Sequence, residues 1–149
     1  MKGLFASEIK LNYEPRIVPS SRPGIKTSQD AHIQIRRFFD ASLIRVREEA
    51  VVLFLNRSNK VIGGYKLSTG GITSTVIDIS LILGIALKCL AKGIILAHNH
   101  PSGELNPSGQ DEDITTKLKN AARLMDIALI DHLILNSERY LSFADEGLL

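Results

Sequence analysis

The sequence predicts an α/β domain built on a mixed sheet, and three observations predict it. Residues 50–55 (AVVLFL) form a continuous apolar run of strand length, as in a strand buried on both faces. Residues 94–97 form a second such run, directly after an apolar segment of helical length at 79–91. Residues 61–67 follow the turn-forming stretch 56–59, so a hairpin adds an antiparallel arm to strands that otherwise alternate with helices. With 149 residues, 44% apolar and 23% charged, the chain can bury one full core and has an ordinary globular composition.

The elements follow in order. Residues 8–13 can make a short alternating strand, and Pro15, Pro19 and Pro23, with Ser20, Ser21 and Gly24, mark an extended connector. Thr27 or Ser28 caps a helix running to about Asp40, with Ile33, Ile35, Phe38 and Phe39 as apolar contacts. A further turn or bend carries the chain to Arg47. After the hairpin, Ser68-Thr69-Gly70-Gly71 breaks the second arm. Asp78 or the preceding Thr75 opens the apolar helix, which stops near Lys92 and Gly93, glycine being the stop signal. The strand at 94–97 delivers the chain to His98. Ser108 stands where a helix N-cap is expected, and Asp111, Glu112 and Asp113 fall in the first turn, where the helix dipole favours acids. That helix continues through Leu118, Ala121, Ala122 and Met125, and residues 127–135 and 140–143 read as the last strands.

Composition removes several function classes. Residues 1–12 hold no continuous apolar stretch, so no secretory signal is expected. The run 79–91 is too short to span a bilayer and Lys88 interrupts it, which predicts a buried helix and no membrane span. The single cysteine, Cys89, excludes an internal disulfide framework, fits a reducing, cytoplasmic setting, and is expected in the core. Net charge is only +2, but it is uneven: residues 1–47 carry nine Lys/Arg against four Asp/Glu, and residues 48–149 nine against twelve. A basic N-terminal arm can touch an acidic partner or nucleic acid. Its charges are scattered and no aromatic residues interleave with them, so a solvated face is the expectation. No internal repeat or low-complexity tract is present.

The run His98-Asn99-His100-Pro101, with Ser108 and Asp111 behind it, reads H-x-H-P-x6-S-x2-D. On a strand His98 and His100 point the same way, because side chains repeat every two residues. Pro101 cannot donate to a ladder and ends the strand. Asp111 returns from the start of the next helix, Gly103 and Pro107 making the loop tight. Two imidazoles and a carboxylate suit zinc, although Fe(II) or another first-row ion can occupy such a set. Three protein donors leave a fourth position for water, whose pKa zinc lowers to roughly 7. A general base is then required. Glu48 and Glu49 immediately precede the buried strand, and alternation lets only one of them face the metal. His132, preceded by Asp131 on a late strand, can support a metal ligand from behind, but a satisfied core or edge histidine is the expectation, and His32 is expected as a surface residue. There is no H-E-x-x-H helix, no P-C-x-x-C, and no Walker or dinucleotide glycine motif. The letters His98-Asn99-His100 are not the HNH nuclease motif, whose residues are dispersed.

These residues resemble the JAMM (MPN-plus) metalloprotease signature, E…H-x-H-x10-D with Ser three residues before the Asp. The similarity is closer to its bacterial RadC branch, on AHNHPSGELNPSGQD, EEAVVLFLN, STGG and DHLILNSERYLSFADEG. It covers residues 40 to 149, with 1–39 as an N-terminal arm and helix. The resemblance implies a cytidine-deaminase-like (JAB/MPN) three-layer α/β/α sandwich with a curved mixed sheet. It implies His98, His100 and Asp111 as zinc ligands and Ser108 as a donor to the oxyanion. In that branch the base lies eight positions before the Asn or Asp that ends the first strand. Asn56 takes that place, which makes Glu48 the match and Glu49 the fallback.

The implied activity is zinc-dependent hydrolysis of a peptide or isopeptide bond in a protein or peptide substrate. Many RadC-type proteins carry an N-terminal helix-hairpin-helix region. Residues 1–39 do not show its Gly-rich hairpins, and the chain resembles a short form of the kind found beside mobile elements. The family's traditional association is with DNA repair, so the competing expectation is a nucleic-acid-associated repair or replication accessory protein without protease activity. A scaffold with a vestigial metal site is a third reading, disfavoured by the complete set of ligands, base and oxyanion donor. Oligomeric state is left open.

Overall fold

A computed structural model describes residues 6–10, 12–70 and 76–149. Five strands and three helices run in the order α1 (Ser28–Ile35), β1 (Glu49–Leu55), β2 (Val61–Thr69), α2 (Ile79–Lys88), β3 (Gly93–Asn99), α3 (Gly109–Leu124), β4 (Ala128–Leu135) and β5 (Tyr140–Ser142). The sheet order is β2-β1-β3-β4-β5. Only β3 and β4 are parallel, joined by α3; the other neighbours are antiparallel, so the sheet is mixed and open.

Strand alternation divides the core into two layers. Val51, Leu53, Leu55, Ile95, Ala97, Leu133 and Leu135 face Ile25, Ala31, Ile35 and Phe39. Val52, Phe54, Ile94, Leu96 and Leu129 face Ile82, Ala86, Leu118 and Ala122. Helix α1 therefore covers one side and α2 with α3 the other, giving the expected three layers. Every residue of β1 and of β3 is buried, which is why their sequences lack the apolar–polar alternation of a half-exposed sheet.

Several local expectations are corrected. Residues 8–10, 12 and 13 form no strand; Ile9 is 88% exposed and so has no face to pack on. Instead the Tyr13 hydroxyl donates to the Ile62 carbonyl at 3.0 Å and ties the arm to β2. Helix α1 is capped by Thr27 in a reciprocal box with Asp30, but it ends at Ile35 and tightens into a 3-10 turn, Arg36–Phe38. Ile33, expected as an apolar contact, is exposed, and so is Met125 of the α3 end. Asp78 caps α2 by accepting from Leu81 N at 3.1 Å, while Thr75 and Gly71 lie outside the described residues.

Helix α2 is not buried all round. It buries Ile82 and Ala86, with Cys89 just beyond, and exposes Leu81 and Leu87. Its stop is not Gly93 either. Leu90 takes the left-handed conformation (φ 56) that ends the helix, and Gly93 opens β3, where a side chain would collide with Ile130. No described helix is long and apolar enough to cross a membrane.

Leu90 is 77% exposed, so its side chain contributes little burial while its backbone sits where a Cβ is disfavoured. Leu90→Gly is expected to raise stability by up to about 1 kcal/mol, read as a higher urea midpoint with unchanged slope. A lower midpoint would mean that the leucine side chain makes a contact worth more than the backbone strain.

Candidate metal centre

The centre forms where the end of β3, the start of β1 and the N-terminus of α3 meet. Strands β1 and β3 pair with Ala50 opposite His98, and continuing that register puts Glu48 opposite His100. The ladder to β4 runs one step past β3, because His100 N donates to the Leu135 carbonyl at 2.9 Å. His100 thereby keeps the two-residue phase of His98. Gly103, at φ 90, then turns the chain back.

Ser108 caps α3 in a reciprocal box. Its Oγ accepts from Asp111 N (3.2 Å), and its own N–H donates to Asp111 Oδ2 (2.7 Å). The box fixes the Asp111 carboxylate and aims it at the histidines. His98 Nε2 lies 3.1 Å from Asp111 Oδ1 and 3.0 Å from His100 Nε2, and His100 Nε2 lies 3.5 Å from Asp111 Oδ2.

That triangle fits a metal. A tetrahedral zinc with donors at about 2.0–2.1 Å holds them about 3.3 Å apart. The three donors form the only such cluster among the described residues. Tautomer supports the fit for His100: its Nδ1 donates to the Glu104 carbonyl at 2.7 Å, so in the neutral ring Nε2 offers a lone pair to the centre. The electrostatics agree. The hydrogen bond to Asp111 raises the His100 pKa against the opposing effect of burial. Burial pushes the Asp111 carboxyl up, but the hydrogen bonds to His100 and His98 outweigh it and hold the group well below the usual carboxylate range. Positive charge is thus favoured at this point, whether proton or cation.

Glu48 and Glu49 separate as alternation requires. Glu48 lines the same cavity as His98, His100, Ser108 and Asp111, about 460 Å³ in volume. Its charge also helps to raise the His100 pKa. Glu49 lies on the other side of the sheet, buried, with Oε1 2.7 Å from Lys66 Nζ and Oε2 accepting from Asp40 N at 3.0 Å. Ser108 Oγ, already an acceptor in the cap, keeps its O–H proton for the cavity.

Two further residues support the centre, of which Asn99 was not expected from sequence. Asn99 is fully buried, and its amide donates to the Ile44 and Arg47 carbonyls (2.8 and 2.9 Å) while its Oδ1 accepts from Glu49 N (2.6 Å). It locks the segment carrying Glu48 to β3. His132, expected as a satisfied core or edge histidine with a supporting role at the centre as the alternative, is fully buried with Nε2 2.8 Å from His98 Nδ1 and Nδ1 2.6 Å from Thr115 Oγ1, so it is both. The available signal was a polar residue inside an otherwise apolar strand, which must find partners. His32 is likewise not a surface residue. It is half-buried, stacked on Tyr140 with ring centroids 4.4 Å apart, and burial lowers its pKa.

Comparison with known proteins bears on the same residues. The RadC-like JAB domain family matches residues 25–148. The chain belongs to that family. The match takes in α1 as well as the sheet and the centre. The chain is similar to a UPF0758 protein of Flavobacterium johnsoniae, 52% identical over 68% of this chain and 44% of that one. It is also similar to a UPF0758 protein of Porphyromonas gingivalis, 42% identical over 90% of this chain and 60% of that one. A third relative is the Escherichia coli UPF0758 protein YeeS, 46% identical over 69% of this RadC-like chain and 70% of YeeS. The chain thus spans about half the length of the first two relatives.

Metal binding to this folded cluster must stabilise the fold by linkage, by about 2.7 kcal/mol at one hundred times the dissociation constant. Added zinc is expected to raise the thermal midpoint of chelator-treated protein, and Asp111→Ala to abolish the rise. An equal rise in Asp111→Ala would place the bound ion elsewhere.

Proposed function

We propose that this RadC-like JAB domain is a zinc-dependent hydrolase acting on a peptide or isopeptide bond. One observation carries the reading: Glu48 and Ser108 line the same cavity as the three convergent donors. His98, His100 and Asp111 would hold the ion, which when bound supplies Lewis acidity and acidifies water. The remaining chemistry belongs to this chain's own side chains. Glu48 accepts a proton from the attacking water as its oxygen bonds to the carbonyl carbon. It then delivers that proton to the departing nitrogen as the C–N bond breaks. Ser108 donates a hydrogen bond from its hydroxyl to the carbonyl oxygen as charge grows there. Ile77 and Ile114 give the cavity an apolar wall, and Lys117 and Asp113 give it charged ones, a mixture suited to a polypeptide.

Two substitutions separate the roles. Glu48→Gln is expected to lower turnover of a cleaved peptide by at least about 100-fold while zinc binding is retained. Ser108→Gly costs the cap only a few tenths of a kcal/mol but removes the hydroxyl, so turnover is expected to fall while the melting temperature barely moves. Undiminished cleavage by Glu48→Gln, or by metal-stripped protein, refutes the proposal.

A second reading, association with nucleic acid, is favoured by a surface other than the N-terminal arm. A cavity of about 890 Å³ lies at the opposite end of the sheet. Arg57, Lys92, Lys119 and Arg123 line it, and Asp126 is the one carboxylate among its lining residues. Phosphate contacts there would give oligonucleotide binding that weakens steeply with salt and loses slope in Lys119→Ala with Arg123→Ala. Binding absent at low salt ends this reading.

A further inference from the structure

We infer that Thr115 and His132 form a one-way hydrogen-bond chain that presets the tautomer of His98, making both of them positioning residues for the metal centre. The inference rests on the metal-site reading above but not on hydrolysis. It follows from which atoms can donate.

The chain is anchored by a group that only accepts. Thr115 Oγ1 donates its single proton to the Asp111 carbonyl, one helical turn back, at 2.5 Å. Having spent that proton, Oγ1 must accept from its other neighbour, His132 Nδ1, at 2.6 Å. His132 therefore carries its proton on Nδ1. The ring is fully buried against Phe143, and in its neutral form a proton on Nδ1 leaves Nε2 bare. A bare Nε2 accepts, and the partner 2.8 Å away is His98 Nδ1, which must be the protonated nitrogen of its ring. In the neutral His98 ring Nε2 then carries the lone pair that faces Asp111 and His100, at the point where either a cation or a proton shared with Asp111 is held.

The direction matters because the opposite tautomer would place a hydrogen on Nε2, in the space the ion needs. In water a free imidazole exchanges between the two forms, and binding would have to select one. Here the selection is made by a hydroxyl on α3 and a ring on β4 before any ion arrives. The chain also ends on the backbone of Asp111, so it ties two of the three donors to each other through buried side chains. Loss of such partners typically weakens metal binding about 10- to 100-fold.

The experiment has two arms. In the first, long-range nitrogen–proton NMR on metal-free, nitrogen-15-labelled protein reads the ring tautomers directly. His98 and His132 are both expected to be protonated on Nδ1, and Thr115→Val to shift both rings toward the Nε2–H form. In the second, zinc affinity is measured by competition with a chromophoric chelator. Thr115→Val and His132→Leu are expected to bind about 10- to 100-fold more weakly. Thr115→Ser, which restores the hydroxyl, and His132→Gln, which can offer an amide oxygen near the Nε2 position, are expected to recover most of the loss. His98 protonated on Nε2 with a bare Nδ1 in the wild-type protein overturns the inference, as does wild-type zinc affinity in folded Thr115→Val. Failure to cleave any peptide leaves both arms standing, so it would count against the hydrolase reading alone.

Discussion

Electron-pair donors do not approach one another without positive charge between them. His98, His100 and Asp111 converge within 3.0 to 3.5 Å, and the surrounding structure supplies what such a convergence requires. Two donors sit at the end of a fully buried strand, where neighbouring strands fix the backbone. The third sits in the first turn of a helix whose capping box orients the carboxylate. Each support is a short-range device, and together they hold three atoms from a fourteen-residue stretch on one point. The arrangement explains why the intervening loop needs Gly103 at positive φ, since the chain must reverse at once after His100.

Concentrating polar groups at one end of a buried sheet is costly unless every group is paired. His98, His132, Asn99, Glu49 and Asp131 are all buried, and each has its partners within the fold. Asn99 and Glu49 bind the loop before β1 on the α1 side of the sheet, while His132 and Thr115 brace the ligands on the α3 side. The sheet thus separates two networks. One positions the segment that carries Glu48, and the other positions His98 and Asp111. The Asn99 side chain lines no part of the cavity, yet it fixes the loop from which Glu48 leads into β1.

The chain belongs to the RadC-like JAB domain family, and the cluster of His98, His100 and Asp111 lies within the matched residues. The two ends of the sheet differ in character. The end carrying the donors has Glu48, Asp111 and Asp113 along its cavity, and the opposite end has four basic side chains against Asp126, with the exposed Leu90 and Leu124 close to the helix ends.

Much of the site was written in local periodicity. The two-residue repeat of a strand put His98 and His100 on one side, and the Ser108–Asp111 spacing of a capping box put a carboxylate at a helix start; both are properties of a few consecutive residues. Two-sided burial of β1 and β3 was equally legible in their unbroken apolar runs. Phase and register were not. That only one of Glu48 and Glu49 faces the three donors follows from alternation, but which one depends on whether α1 or α3 covers a given side, and packing decides that. His132 lies thirty-four residues from His98, and its contact depends on a parallel register with an irregularity between Ile94 and Ile95. The exposed side of α2 and the stop at Leu90 escaped for the same reason: an apolar residue states a preference for burial, whereas the surface available to bury it exists only once the chain has folded.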